Sequence, residues 1–317
     1  MRSAETQCPK PEAKTNGYDK EFLVFSHELL FSAAMQKSSI KFVEESNTAK
    51  TIRSQLADMQ SEPANRELRI DKVGVRGVRY PIQVRDKVQV VQNTVATIGM
   101  YVDLPEEFKG THMSRFLEVL HAHGNIIHVD SIPAILNELR RRLAARIAHI
   151  EIEFPYFIEK KAPVSGMKGL VDYTVRFTAT AEENKVDFIT TVAVTVTTLC
   201  PCSKAISRYG AHNQRGLVTV SVRMRKRIWI EELIQIVEES ASSEVYSILK
   251  REDEKAVTER AYENPVFVED LVRNVAARLN EDPRVLWYRV EAENFESIHT
   301  HNAYACIERF KEEERQT

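Results

Sequence analysis

Apolar and polar positions alternate with a period of two over long stretches of this chain, and recur at helical spacing in between. Val73 to Val91 alternates apolar with charged residues around Pro81, and Gln92 to Leu104 continues with β-branched residues. Such alternation marks half-buried strands, here two antiparallel ones. Pro105 to Lys109 reads as a turn. A helix is expected from Thr111 to His123, with Met113, Phe116, Leu117 and Leu120 on one face. A second is expected from Ser131 to Ile147. Ser131 is its candidate N-cap, Ile132, Ile135, Leu136, Leu139 and Leu143 form its apolar stripe, and Arg140 to Arg142 face solvent. Strand alternation returns over Ala148 to Lys160 and Gly169 to Thr180, with Gly166 and Lys168 marking the turn between them.

The order then repeats. Val186 to Leu199 and Gly216 to Met224 read as strands, and Ile230 to Ser242 and Val266 to Leu279 as helices. A further helical piece is expected around Glu244 to Lys250, and Val285 to Asn294 and Ala303 to Phe310 are strands again. Each half reads β-β-α-α-β-β without strong identity between the halves, so the repeat is one of pattern. The expected class is α+β: two tandem modules, each an antiparallel sheet with helices on one face. The expected boundaries are a poorly ordered extension over residues 1–65, a first module over 66–183 and a second over 184–317. Within the extension, Glu21 to Met35 carries apolar residues at helical spacing. Single modules leave sheet edges unpaired, which favours a ring-forming oligomer.

Composition narrows the classes. The chain has 317 residues and a formal net charge of −2, so no charge excess calls for nucleic acid or an anionic membrane. No apolar run approaches the ~20 residues that span a bilayer, and the N-terminus lacks an apolar signal segment. The four cysteines, Cys8, Cys200, Cys202 and Cys306, do not form a disulfide framework. A bridge between Cys200 and Cys202 would be strained. A cytoplasmic protein is expected.

The chemistry concentrates at a strand end. Thr197-Thr198-Leu199-Cys200-Pro201-Cys202-Ser203-Lys204 closes a strand, because Pro201 cannot continue a paired one. Gly210-Ala211-His212-Asn213-Gln214-Arg215 follows, with His212 twelve residues past Cys200. A thiolate and an imidazole at the edge of a rigid sheet make half of a transition-metal site. No second Cys or His pair at short spacing closes a structural zinc site, so an open, catalytic site suits the sparse donors better. In Lys250 to Asp270 most charges read as a solvated helix surface, and Glu269 and Asp270 follow the helix-start signal Asn264-Pro265. One carboxylate of that segment could complete the metal site and another recognise a substrate. His299 and His301, with Glu296 close by, lie between two strands and suit proton transfer near neutral pH. His112 opens a helix, where an anion could bind.

These motifs, in this order, resemble type IB GTP cyclohydrolase I. The resemblance rests on Leu199 to Lys204, Gly210 to Arg215, Asp253-Glu254-Lys255 to Glu269-Asp270 and Glu296 to Ala303. It extends to Ile98 to Pro105 and Gly110 to Phe116 and runs from about Met59 to Arg309. Chains of that family tend to begin near Met59, so the start codon is expected there. The resemblance implies a tunnelling fold, assembled as a homotetramer with active sites at subunit interfaces. It implies hydrolysis of GTP to 7,8-dihydroneopterin triphosphate and formate, the entry to folate or to modified tRNA bases. It implies a divalent metal (zinc or manganese, with iron also compatible) and no organic cofactor. Position by position, it implies Cys200, His212 and Glu254 as metal ligands, His299 and His301 as proton carriers, and Glu269 as the acceptor for the guanine edge. Lys204, Arg208 and Arg215 become candidates for the triphosphate, with His112 and Arg115 reaching in from a neighbouring module or subunit; Cys202 is a fourth ligand, a redox partner of Cys200 or, the favoured reading, an outer thiol beside the metal. Rival classes are a tunnelling-fold nitrile reductase with a nucleophilic cysteine, a purine- or pterin-binding protein without turnover, and a structural zinc scaffold. Nicotinamide oxidation, binding without formate release, and a fourth metal ligand would distinguish them in turn.

Overall fold

The computed structural model describes residues 60, 68–87, 91–124 and 126–311. Expectations for the N-terminal extension, including the helix at 21–35 and Cys8, lie outside the described residues. The first repeat runs β1 (Ile70–Val84), β2 (Gln92–Leu104), α1 (Met113–Ala122), a two-residue β3 (Ile127–His128), α2 (Ile132–Leu143), β4 (Ile147–Lys161) and β5 (Lys168–Glu182). The second runs β6 (Lys185–Leu199), a short α3 (Pro201–Ile206), β7 (Asn213–Met224), α4 (Ile230–Glu238) and a two-residue β8 (Ser243–Glu244). It continues with α5 (Arg251–Glu263), α6 (Val268–Glu281), β9 (Val285–Asn294) and β10 (Ala303–Phe310). This is the α+β order expected of a tunnelling fold.

The strands form one sheet in the order β10-β9-β7-β6-β5-β4-β2-β1-β3, with β8 paired to β6. All pairings are antiparallel except β1 with β3. The repeats join where β5 turns into β6, with Glu182 opposite Lys185. Period-two alternation sends one set of side chains to the helix side. Ile150, Ile152 and Phe154 of β4, Val192, Val194 and Val196 of β6, and Val290 and Ala292 of β9 are all buried there. The helices cover that face with Ile135, Leu136 and Leu139 of α2, Leu233 and Val237 of α4, and Leu271, Val275 and Leu279 of α6. These residues belong to one continuous core. Each fully buried aliphatic side chain contributes about 1.5–3 kcal/mol.

Four local expectations are corrected or refined. In α1 the buried residues are Phe116, Val119 and Leu120, while Met113 and Leu117 are exposed. The buried arc centres on Phe116, and Leu117 sits about 100° around the helix from it. Ser131 does stand at the N-cap of α2, as expected, but without a capping side chain. It ends a 3₁₀ turn, has helical dihedrals and makes no capping hydrogen bond, so the chain enters α2 from a turn already wound. The helix at Ile230 stops at Glu238 rather than Ser242. Ser240 Oγ donates back to the Ile236 carbonyl, and Ser242 Oγ accepts from Leu199 N–H, so the serines bond outside the helical ladder. Residues 244–250 form no helix, and α5 begins seven residues later than expected, at Arg251.

Asp253 explains that last shift. It is fully buried, although it lies in a charge run that reads as solvated. Its carboxylate accepts from Lys250 N–H (2.8 Å), which starts α5. It also accepts from Val164 N–H (2.9 Å), Ser165 N–H (2.8 Å) and the Ser165 hydroxyl (2.6 Å) of the β4–β5 turn. One buried carboxylate therefore ties the first repeat to the start of α5. Burial alone would push this carboxyl up, but the Ser165 hydroxyl and the backbone donors outweigh it and hold it below the usual range. A depressed folded value gives stability that is present above the unfolded value of about 3.9 and is lost as pH falls through the folded one. Asp253→Asn is expected to lower the melting temperature clearly at pH 7, with the gap to wild type narrowing below about pH 4. Thermal unfolding across that range checks this, and a gap independent of pH would count against the ionised tether.

Candidate active site

Pro201 ends β6 by removing a donor, and Cys200 becomes the N-cap of α3. Its backbone is extended, and its Sγ accepts the Ser203 N–H at 3.4 Å. Cys200 N–H donates to the His212 carbonyl at 3.1 Å, continuing the β6–β7 ladder beyond the Leu199–Asn213 pair. The Ser203 hydroxyl accepts His212 N–H at 3.1 Å. The cysteine and the histidine thus sit opposite each other at one end of the sheet, held by backbone rather than by chance of rotamer.

Behind them lies a buried polar relay. His212 Nδ1 is 2.9 Å from Gln214 Oε1. Gln214 Nε2 donates to Thr198 Oγ1 at 3.1 Å and to Glu296 Oε1 at 3.5 Å. Glu296 Oε2 lies 3.8 Å from His212 Nδ1 and is buried without a hydrogen-bond partner among the described residues. Glu296 arrives because β9 pairs with β7, Asn294 opposite Gly216, and because Phe295 N–H donates to the Arg215 carbonyl. The same β9–β10 connection carries His299 and His301, which are exposed and stacked at 5.2 Å between ring centroids. Val266 N–H donates to the Leu199 carbonyl, which brings the α5–α6 link to this end of the sheet. Glu269 follows in the first turn of α6 and is exposed.

The basic candidates divide. Lys204 Nζ donates to the Tyr262 carbonyl and sits 4.4 Å over the Tyr262 ring. Arg208 lies over the Tyr209 ring, and both Arg208 and Arg215 are exposed near the cysteine. His112 and Arg115 are not brought to this place. They follow β2 out of the sheet edge where β4 begins and β5 ends, Val102 opposite Ala148 and Ile147 opposite Glu182. β6 starts at that end of the sheet and reaches Cys200 only after 15 residues, roughly 50 Å of strand.

A divalent metal fits part of the expected ligand set. An amide oxygen facing His212 Nδ1 requires a hydrogen there and leaves Nε2 as a donor atom, as ligating histidines have it. The Cys200 sulfur is opposite, and thiolate with imidazole suits zinc-type metals. Glu254 lies in the first turn of α5 and is exposed. Among the described residues no three His, Cys, Asp or Glu side chains converge on one point, so Glu254 is not drawn against the other two. Gln214, Thr198 and Glu296 are the residues that sequence reasoning left unassigned. The signal for Gln214 was its parity, a buried amide in register with Gly216 and Val218 of β7.

Comparison with known proteins identifies the family. The family model described as type I GTP cyclohydrolase folE2 matches residues 56–305. A GTP cyclohydrolase FolE2 of Akkermansia muciniphila is 62% identical over 258 residues, covering 80% of this chain and 98% of that protein. That of Syntrophus aciditrophicus is 58% identical over 254 residues, covering 80% of this chain and 100% of that protein. Among solved structures, urate oxidase from Bacillus subtilis 168 aligns at 8% identity with a TM-score of 0.46, over 76% of this chain and 98% of that one. With a family model spanning every element from β1 to the start of β10, and relatives matched over nearly their whole length, this chain belongs to the type I GTP cyclohydrolase folE2 family.

Proposed function

We propose that this chain hydrolyses GTP to 7,8-dihydroneopterin triphosphate and formate, as a type IB enzyme of its family, at the β6–β7 end of the sheet. The product feeds folate and pterin synthesis or deazaguanine tRNA bases. The observation that supports the site most directly is the pairing of Cys200 with His212 at a rigid strand end, backed by Gln214 and Glu296.

Cys200, His212 through Nε2, and Glu254 would hold the metal, zinc, manganese or iron. When bound, such a metal lowers the pKa of a coordinated water so that it is nucleophilic near neutral pH. Glu269 accepts hydrogen bonds from guanine N1–H and the exocyclic amine, an edge on which both groups are donors. His299 donates a proton to the imidazole-ring nitrogen as the C–N bond opens, and His301, stacked against it, orients that ring and relays its proton. Lys204, Arg208 and Arg215 face the triphosphate from the same chain. His112 and Arg115 lie at the far end of the sheet, so they serve a site only across a subunit boundary. That placement supports a homotetramer with active sites at its interfaces. The two repeats, 66–183 and 184–317, form its wall. We place the enzyme in the cytoplasm, and no helix among the described residues is long and apolar enough to cross a membrane.

The test is direct. Chelator-stripped protein is assayed with GTP, following formate release and pterin fluorescence, with zinc, manganese or nothing added back. Formate is expected with added metal and not without it. No formate from folded protein under any metal condition would overturn the reading.

A further inference from the structure

Gln214 is 8% exposed and stands two residues after His212. An amide presents two donor hydrogens at one end and an acceptor oxygen at the other, and its neighbours decide which end points where. Its nitrogen is 3.1 Å from Thr198 Oγ1 and 3.5 Å from Glu296 Oε1. Its oxygen is 2.9 Å from His212 Nδ1. A carboxylate only accepts, so turning the amide over would set oxygen against oxygen at Glu296. The Thr198 hydroxyl serves either orientation. Glu296 therefore fixes the amide, and the amide fixes the ring: an acceptor 2.9 Å from Nδ1 needs a hydrogen on Nδ1. A second acceptor, Glu296 Oε2, faces the same nitrogen at 3.8 Å. In a neutral imidazole with Nδ1–H, the lone pair is on Nε2. Thr198 is fully buried and Glu296 nearly so, which leaves the relay few competing partners.

We propose that Gln214 is a positioning residue: its amide, oriented by Glu296 and Thr198, holds His212 as the Nδ1–H tautomer and offers Nε2 to the metal. This rests on the reading of His212 as a metal ligand, and the experiment separates the two. Long-range ¹H–¹⁵N correlation on metal-free, ¹⁵N-labelled protein reports the tautomer of His212, its signals assigned by their loss in His212→Ala. Wild type is expected to show Nδ1–H. Gln214→Met, which removes the acceptor, is expected to shift the ring toward Nε2–H and to weaken zinc binding about 10–100-fold. Gln214→Glu, which restores an acceptor in the same place, is expected to recover Nδ1–H. An Nε2–H ring in wild type overturns the proposal, and this spectrum decides even if the methionine variant does not fold. So does a folded Gln214→Met with an unchanged tautomer and unchanged zinc affinity. Zinc affinity that His212→Ala leaves intact would instead overturn the ligand assignment, with the tautomer result still standing on its own.

Discussion

Cys200→Ala is expected to bring metal-dependent formate release from GTP down to the level of buffer. The residue sits where the backbone does not need its side chain. Its N–H pairs with the His212 carbonyl whatever the substituent, so the β6–β7 ladder survives the change. The loss on the structural side is the N-cap contact between Sγ and Ser203 N–H, worth about 1 kcal/mol in typical caps. Under the proposed ligand set the chemical loss is far larger, because alanine has no donor and would leave His212 to hold a metal with an exposed carboxylate. Metal content measured on the purified variant should fall together with turnover. Cys200→Ser separates softness from geometry: an alcohol oxygen at the same place keeps a donor but not a thiolate, and zinc binding should drop further than manganese binding. Turnover of Cys200→Ala within about tenfold of wild type, in a folded protein, would remove the cysteine from the mechanism.

The sequence resolved the strands well and the site in part, for physical reasons that differ from place to place. β6 ends at Leu199 as the alternation predicts, because a sheet with one buried face writes its period directly into the chain. Cys200 and His212 were legible for a local reason. Pro201 cannot donate to a ladder and comes where the alternation of β6 runs out, so the thiols read as lying at its terminus. Gln214 and Glu296 were not, since they are 82 residues apart and meet only because β9 skips three helices to pair with β7. Alternation tells which face a residue occupies, not which strand lies beside it. Asp253 failed for the same kind of reason. Its neighbours Lys250 to Lys255 are charged, but the turn that buries it comes from the first repeat, nearly ninety residues away. A charge run reports a solvated helix only until a distant segment supplies enough donors to replace water. Both misses fall on buried polar groups, whose burial requires partners that pattern alone does not name.

His299→Ala is expected to lower kcat for formate release by about 10²–10⁴-fold, the range for losing a positioned general acid. KM should change little, because Glu269 and the basic residues, not His299, are assigned the substrate's recognition edges. Metal content should also remain, which distinguishes this variant from Cys200→Ala. His301→Ala is expected to cost less, since the proposed mechanism gives it only the relay of the proton that His299 uses. The rings are stacked 5.2 Å apart with planes 20° from parallel, so each packs against the other and limits its rotation. Residues that act as a unit are not additive, and the double variant should be little worse than His299→Ala alone. Both rings are exposed in the single chain, so their fixed position comes from the short β9–β10 connection, anchored by Phe295 N–H on Arg215 and by Asn302 on Glu293. Asn302→Ala, which frees one anchor and leaves both imidazoles in place, should therefore lower kcat less than either histidine variant. Single-turnover formate release for the four variants checks the ranking. Additive losses across the two histidines would mean that they act in separate steps, and an undiminished His299→Ala would assign the proton to another group.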